Sequence, residues 1–335
     1  MGRRGFICAG CWTVDRIKLI DHWPVEEQLA RITLVDRQGG GSAYNVGLDI
    51  RKLDPSMPVA AIGLVGNDED GDFLYQQAAA HELDLTQLHR TQNSATSYTD
   101  VMSVSDSGKR TFFHYPGAND LLEPSHIDFS TNGERILHLG LLSVHALMDQ
   151  FDEDGSNGWS KVLQQAQSFG IKTSIEMVSV DPILNRKLVL PCLPFLDYLI
   201  VNDHEIGAIA QRQTLVDGVA DIPQCIEAAN IALSMGNMQL VAVHFPGGAV
   251  CVSCEGSAFV TESLSVPQSM IKSSVGAGDA FVAGFLYAIH ENKSLSEAME
   301  LAHTVAACSL RSMTTTGAVE SVDKCRQFAS QLAHL

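Results

Sequence analysis

Residues 273–290, SSVGAGDAFVAGFLYAIH, carry the groups needed to move a phosphoryl group. Gly276-Ala277-Gly278 make a small glycine-rich turn that runs straight into the carboxylate of Asp279. Ala280, Phe281, Val282, Phe285, Leu286, Ala288 and Ile289 follow at the length and spacing of a buried helix. Glycines leave backbone N–H groups uncovered, and a helix N-terminus adds partial positive charge, so together they hold an anion. A carboxylate at the edge of such a hole suits phosphoryl transfer. Asp279 would orient the attacking hydroxyl and take its proton, while the turn neutralises charge on the moving group. The helix dipole and backbone donors should keep Asp279 ionised, and a loose transition state needs only a weak base. Alone, the tetrapeptide also reads as a tight loop with Asp279 as an N-cap.

The elements that must position this turn alternate in type. GFICA at 5–9 and VAAIGLV at 59–65 are apolar runs fit for buried strands. GGGSAYNVGLDIRKL at 39–53 pairs a glycine turn with a helix opened by Asn45, which offers both a donor and an acceptor. Helices are expected over 70–81, 159–169, 222–235 and 296–312, with strands at 136–142, 171–177, 195–201 and 240–244 between them. This strand–turn–helix alternation specifies a mostly parallel sheet with helices on both faces, a three-layer α/β/α domain spanning 1–335. Two β-rich excursions, about 12–37 and 97–115, interrupt the rhythm and read as one small lid; the second is a hairpin turned by Asp106-Ser107-Gly108. After 312 only a short tail is expected.

Bulk properties narrow the partners. A net charge of −17 argues against nucleic acid or an anionic membrane as a main partner. No apolar run approaches a membrane span or signal peptide, which implies a cytoplasmic location. The pairs Cys8/Cys11 and Cys251/Cys254 have zinc-ligand spacing but lie in strand-like runs. Residues three apart there point to opposite faces, so these read as reduced core thiols.

The turn and its helix resemble the catalytic signature of ribokinase-like sugar kinases, the phosphofructokinase-B type family, and further motifs follow in that family's order. The resemblance implies an ATP-dependent kinase of a small sugar with a ribokinase-like fold. Asp15 looks like its sugar-hydroxyl ligand. GGGSAYN resembles its first signature, which makes Gly41 and Asn45 acceptor contacts. GLVGNDEDGDF at 63–73 resembles a structural hallmark of the family. Asn202 and Glu205 match Asn-x-x-Glu, which implies that they organise Mg2+ and the ATP phosphates, with Glu205 on the metal; read alone, the pair is a helix cap. His244-Phe245-Pro246-Gly247-Gly248 stands where the family commonly has Thr-Leu-Gly-x-x-Gly, so His244 and Gly248 are assigned to the nucleotide.

Departures shape the expectation. Ser273-Ser274-Val275 replaces the usual Asp-Thr-Thr, which leaves dependence on K+ open. Leu141-Leu142-Ser143 lacks the glutamate that ribose kinases place there, which weakens ribose as substrate; the spacing around Asp15, Trp23-Pro24 and GGGSAYN faintly resembles ketohexokinases, which implies a ketohexose. A nucleoside kinase of the same fold and a non-catalytic sugar- or nucleotide-binding regulator are the alternatives. A dinucleotide oxidoreductase and a P-loop enzyme lack their fingerprints. Lys109 and Arg110 read as solvated, His303 as a packed core residue, and His114 and Tyr115 as either a closing pair or a structural one. An exposed lid edge would favour a homodimer through the lid.

Overall fold

Apolar runs without alternation, FICAG at 6–10 and VAAIGLVG at 59–66, become strands covered on both faces. A computed structural model describes residues 2–106, 109–131, 133–178 and 181–332. The chain begins with β1 (Phe6–Gly10), β2 (Thr13–Ile20), β3 (Ile32–Gly40) and α1 (Ser42–Leu53), then β4 (Val59–Gly66), α2 (Glu69–Ala80) and β5 (Asp84–Thr91). Strands β6 (Tyr98–Val104) and β7 (Arg110–Tyr115) follow, then β8 (Ile136–Leu142), α3 (Gly158–Ser168), β9 (Lys172–Met177) and α4 (Pro182–Val189). Next come β10 (Tyr198–Asn202), α5 (Asp203–Ala210), the short β11 (Leu215–Val216) and β12 (Val219–Ala220), and α6 (Ile222–Ser234). The chain closes with β13 (Leu240–Phe245), β14 (Gly248–Ser253), β15 (Ala258–Glu262), α7 (Ala277–His290), α8 (Leu295–Ser309) and α9 (Val322–Leu332).

Nine strands form one sheet in the order β15-β14-β13-β10-β9-β8-β1-β4-β5. Its pairs are parallel except at the edge formed by β14 and β15. Alternate residues of the same strands feed two cores. Phe6 and Cys8 pack with α1, α2, α7, α8 and α9, while Ile7 and Ala9 pack with α3, α4, α5 and α6. That is the expected three-layer arrangement.

The two excursions meet in a four-stranded sheet, β3-β2-β6-β7. Strands β6 and β7 pair antiparallel, from Tyr98↔Tyr115 to Ser103↔Arg110; Ser107 and Gly108 of the expected turn lie outside the described residues. Strand β2 pairs antiparallel with β3 and parallel with β6. Among the described residues no helix is long and apolar enough to cross a membrane.

Three elements differ from the sequence reading. The expected tail is helix α9, whose Cys325, Phe328 and Leu332 are buried at helical spacing among charged neighbours. Strand β5 reads as polar because, as the sheet's edge, it buries only Leu88. Helix α4 begins at Pro182, with the Asp181 side chain accepting from the Ile183 N–H.

Candidate active site

The glycine turn before α7 is built by steric necessity. Gly276 caps α7 at φ +82°, and a Cβ there would lie 2.7 Å from the Thr315 carbonyl oxygen. This leaves Ala277 and Gly278 opening the helix and puts Asp279 in its first turn. Across from it, Gly41 caps α1 at φ +88°, against the Cys11 carbonyl, and places Asn45 in that helix's first turn. The two helix starts meet: Asn45 Nδ2 donates to Asp279 Oδ2 at 2.8 Å. Thr315 Oγ1 donates to Asn45 Oδ1 at 2.8 Å, so both ends of the amide are held.

Asp15 approaches from β2, packed so closely on Gly40 that a Cβ there would lie 2.4 Å from Asp15 Oδ2. Burial, then the Asp279 charge, push Asp15 up to about 7, against a hydrogen bond from Thr99. Asp279 itself departs from the sequence expectation of a permanently ionised carboxylate. Burial, then the charge of Glu176, hold it well above the usual carboxylate range, although Asn45 pulls the other way. A single N-terminal dipole does not offset a second buried carboxyl.

Glu176 is a site residue that sequence reasoning missed. It lies on β9, is pushed up to about 8 by burial and by the charge of Glu205, and hydrogen-bonds Asp279. Its Oε2 is 3.0 Å from Nε2 of His138 on β8. The one signal was that Glu176 is the lone carboxylate in the strand segment IKTSIEM. Cys11 and Asn119 also join the site, the Asn119 Nδ2 lying 3.4 Å from the Cys11 Sγ. Arg110 corrects another expectation. It is half-buried, and its Nη1 donates to Ser273 Oγ at 2.9 Å, tying the small sheet to the turn before α7.

On the other side of Gly278 runs a groove of about 680 Å3, lined by Asn202, His244, Gly248, Gly278, Phe281 and His303 among others. Asn202 and His244 are register partners at the carboxyl ends of β10 and β13, where open α/β sheets bind ligands. The Phe281 ring lies 5.2 Å from that of His244 and 5.3 Å from that of His303. Burial, then the neighbouring His303, push His244 down to about 4, so its ring is neutral in the ligand-free site. His303 packs as expected, bonded to Thr261 at 2.9 Å, yet also faces the groove. Gly248 faces it too, and a Cβ there would lie 2.3 Å from the Thr261 carbonyl.

Asn202 and Glu205 form a capping box on α5: the Glu205 N–H donates to Asn202 Oδ1 at 2.9 Å, and the Asn202 N–H to Glu205 Oε2 at 3.0 Å. Among the described residues no cluster of three or more His, Cys, Asp or Glu could hold a metal. One carboxylate completed by phosphate oxygens and water is a donor set that suits Mg2+; Glu205 is buried, with its Oε2 accepting from the Asn202 N–H, and does not itself line the groove, whereas Asn202 does. A larger groove, about 840 Å3 between α4 and α5, shares His204 and Leu215 with the first but contains no candidate residue.

The model of the pfkB family carbohydrate kinases matches residues 11–322. The chain belongs to this family. It is 24% identical over 339 residues to a probable fructokinase-7 of Arabidopsis thaliana, covering 94% of this chain and 89% of the relative. It is 22% identical over 310 residues to a 5-dehydro-2-deoxygluconokinase of Clostridium perfringens, covering 86% and 83%. An Arabidopsis thaliana ribokinase solved with ribose and ATP superposes with a TM-score of 0.78 at 18% identity, over 98% of this chain and 99% of that one. That likeness shows the ribokinase fold.

Proposed function

We propose that this pfkB-family chain transfers the γ-phosphoryl group of ATP to a hydroxyl of a small uncharged monosaccharide. The observation that carries it is the place of Asp279, at a glycine-capped helix start with Asp15, whose titration its charge raises, on one side and the groove lined by His244, Gly278 and Phe281 on the other. The acceptor lies against Asp15, Gly41 and Asn45, and ATP lies along the groove past Asn202, Glu205, His244 and Gly248. Asp279 takes the proton as the O–H bond breaks. The new O–P bond forms, and the bond from the phosphoryl group to ADP opens. Backbone N–H groups of Gly276, Ala277 and Gly278 hold the transferring charge. When bound, Mg2+ at Glu205 neutralises phosphate charge.

Charge selects the acceptor class. Asp15, Asp279 and Glu176 converge on the acceptor side, so a sugar acid would place a carboxylate among carboxyls, whereas a neutral polyol supplies hydroxyl donors. This favours a neutral hexose, such as the fructokinase name of one relative suggests, over a keto-sugar acid. The small sheet, 13–40 with 98–115, acts as the lid that excludes water. Its exposed Ile32, Leu34, Val35, Phe112 and Phe113 suit a second lid in a homodimer. Eight free cysteines fit a reducing, cytoplasmic setting.

The test is ADP release from Mg-ATP across pentoses, hexoses, keto-sugar acids and nucleosides, with and without potassium. A neutral monosaccharide should stand above the rest, and Asp279→Asn should lower its turnover by roughly a hundredfold or more while leaving ligand binding in place. No acceptor-dependent release, or near-normal turnover in Asp279→Asn, would refute the proposal.

A further inference from the structure

Glu176 has no part in the transfer step as described so far, yet the fold is adapted to it. Between the register pairs Leu139↔Ile175 and Leu142↔Met177, β8 spends two residues, Gly140 and Leu141, against the single Glu176 of β9. Such a bulge re-aims the side chain opposite it. Gly140 leaves the space that this needs: a Cβ there would lie 3.3 Å from Glu176 Cβ and 2.5 Å from Ser42 Oγ. Behind Glu176, His138 is fully buried, and its Nε2 stands 3.0 Å from Glu176 Oε2. Burial holds His138 down near 4, so the ring is neutral and Nε2 and Oε2 share one hydrogen bond. In front of Glu176 is the Asp279 carboxyl, whose other contact is the Asn45 amide at 2.8 Å.

Two carboxyls in hydrogen-bonding contact do not both ionise readily; a single proton between them is the favoured state. Resting on the kinase reading, we propose that Glu176 is a positioning residue: anchored by His138, it shares one proton with Asp279 and takes it over when Asp279 accepts the acceptor's proton. The balance is complete. The acceptor O–H breaks and its proton goes to Asp279, the proton already on Asp279 passes to Glu176, the O–P bond forms, and the bond to ADP breaks. The pair ends with two protons, one of which returns to solvent as the product leaves. Other titratable groups facing the pair are Asp15 from β2, Glu205 from α5, Asp49 from α1, and Cys11 after β1. None of them is bonded to both carboxyls.

The experiment compares the pH dependence of kcat and kcat/KM for the wild-type protein and Glu176→Gln, at saturating Mg2+ and with the best acceptor of the panel. The amide still bonds to His138 and still donates to Asp279, so the site keeps its shape, but it cannot take a proton. Turnover should fall about tenfold or more with both KM values within about threefold. In the wild type an alkaline limb should appear as the pair loses its last proton and two adjacent charges face the nucleotide phosphates; in Glu176→Gln that limb should be gone. An unchanged limb, or a loss confined to KM and thermal stability, overturns the proposal and leaves Glu176 a packing residue. Carboxyl carbon NMR of the ligand-free protein gives a readout that needs no turnover. The Glu176 and Asp279 signals should each show the same two titration steps, and Asp279→Asn should reduce the Glu176 curve to one. Independent single steps in the wild type refute the shared proton even if the kinase reading fails.

Discussion

Replacing Asn45 by aspartate exchanges one N–H2 for an oxygen and changes little else in volume. In the native site Asn45 Nδ2 donates to Asp279 Oδ2 at 2.8 Å, while Thr315 fixes the other end of the amide. The substitution sets two carboxylate oxygens at that separation. At an effective dielectric constant near 20, two charges so placed repel by about 6 kcal/mol. That equals about four pH units, so one of the two must keep a proton throughout the neutral range. The donor that pulled Asp279 towards its ionised form is gone, and the additional proton held at this cluster leaves Asp279 and Glu176 no vacancy for the hydroxyl's proton. Turnover at neutral pH should therefore fall by roughly a hundredfold to a thousandfold, within the range a general base contributes. Stability should change by only about 1 kcal/mol, because the protonated acid still offers a hydrogen bond to its partner. Rapid-quench measurement of a single turnover, with parallel urea unfolding, separates the two effects. A variant that turns over within about threefold of wild type at pH 7 would show that Asn45 does not govern the charge of Asp279.

Two more expectations follow from buried groups. Asp49 has both carboxyl oxygens buried with no hydrogen-bond partner, and burial, only partly offset by Lys52, holds its titration well above the ordinary range. Its folded state keeps the proton longer than the unfolded chain does, so stability falls as pH rises from about 4, the ordinary aspartate value, through the folded value. Asp49→Asn should flatten that fall, and equal urea-midpoint differences at pH 5 and pH 8 would contradict the assignment. Gly276→Ala meets the Thr315 carbonyl at a positive φ and should cost about 1–3 kcal/mol or more along with activity. Gly278→Ala meets only His244 Cε1 at 3.4 Å and should melt like wild type while raising the KM for ATP. Matching melting temperatures for the two alanine variants would undo the distinction.

The motifs made of backbone chemistry were legible in the sequence. A glycine turn followed by an acid and an apolar helix has few structural solutions, and Gly276 to Asp279 adopt the expected one. The apolar strands and the two β-rich excursions were readable for the same reason, because burial on both faces and turn residues leave local marks. What escaped depended on neighbours distant in sequence. Glu176 draws its meaning from Asp279 and from His138, and nothing within its own strand announces either. Arg110 reads as a solvated residue beside a turn until Ser273 is brought to it across the fold. Helix α9 packs only three buried residues, too thin a stripe to stand out among its charges.

The strand order has a consequence for the history of each molecule as it is made. β1 is among the first segments to be synthesised, yet it lies inside the sheet, pairing Phe6 with Val59 on one side and with Ile136 on the other. At ribosomal rates of about 5–20 residues per second, the partner at 136 emerges roughly seven to twenty-six seconds after β1. During that wait β1 is the open edge of an unfinished sheet of β1, β4 and β5, apolar and unpaired on the side that β8 will cover, the kind of surface that holdase chaperones bind. The half containing Asp15 and Asn45 must therefore be kept from aggregating before the half that carries Asp279 exists.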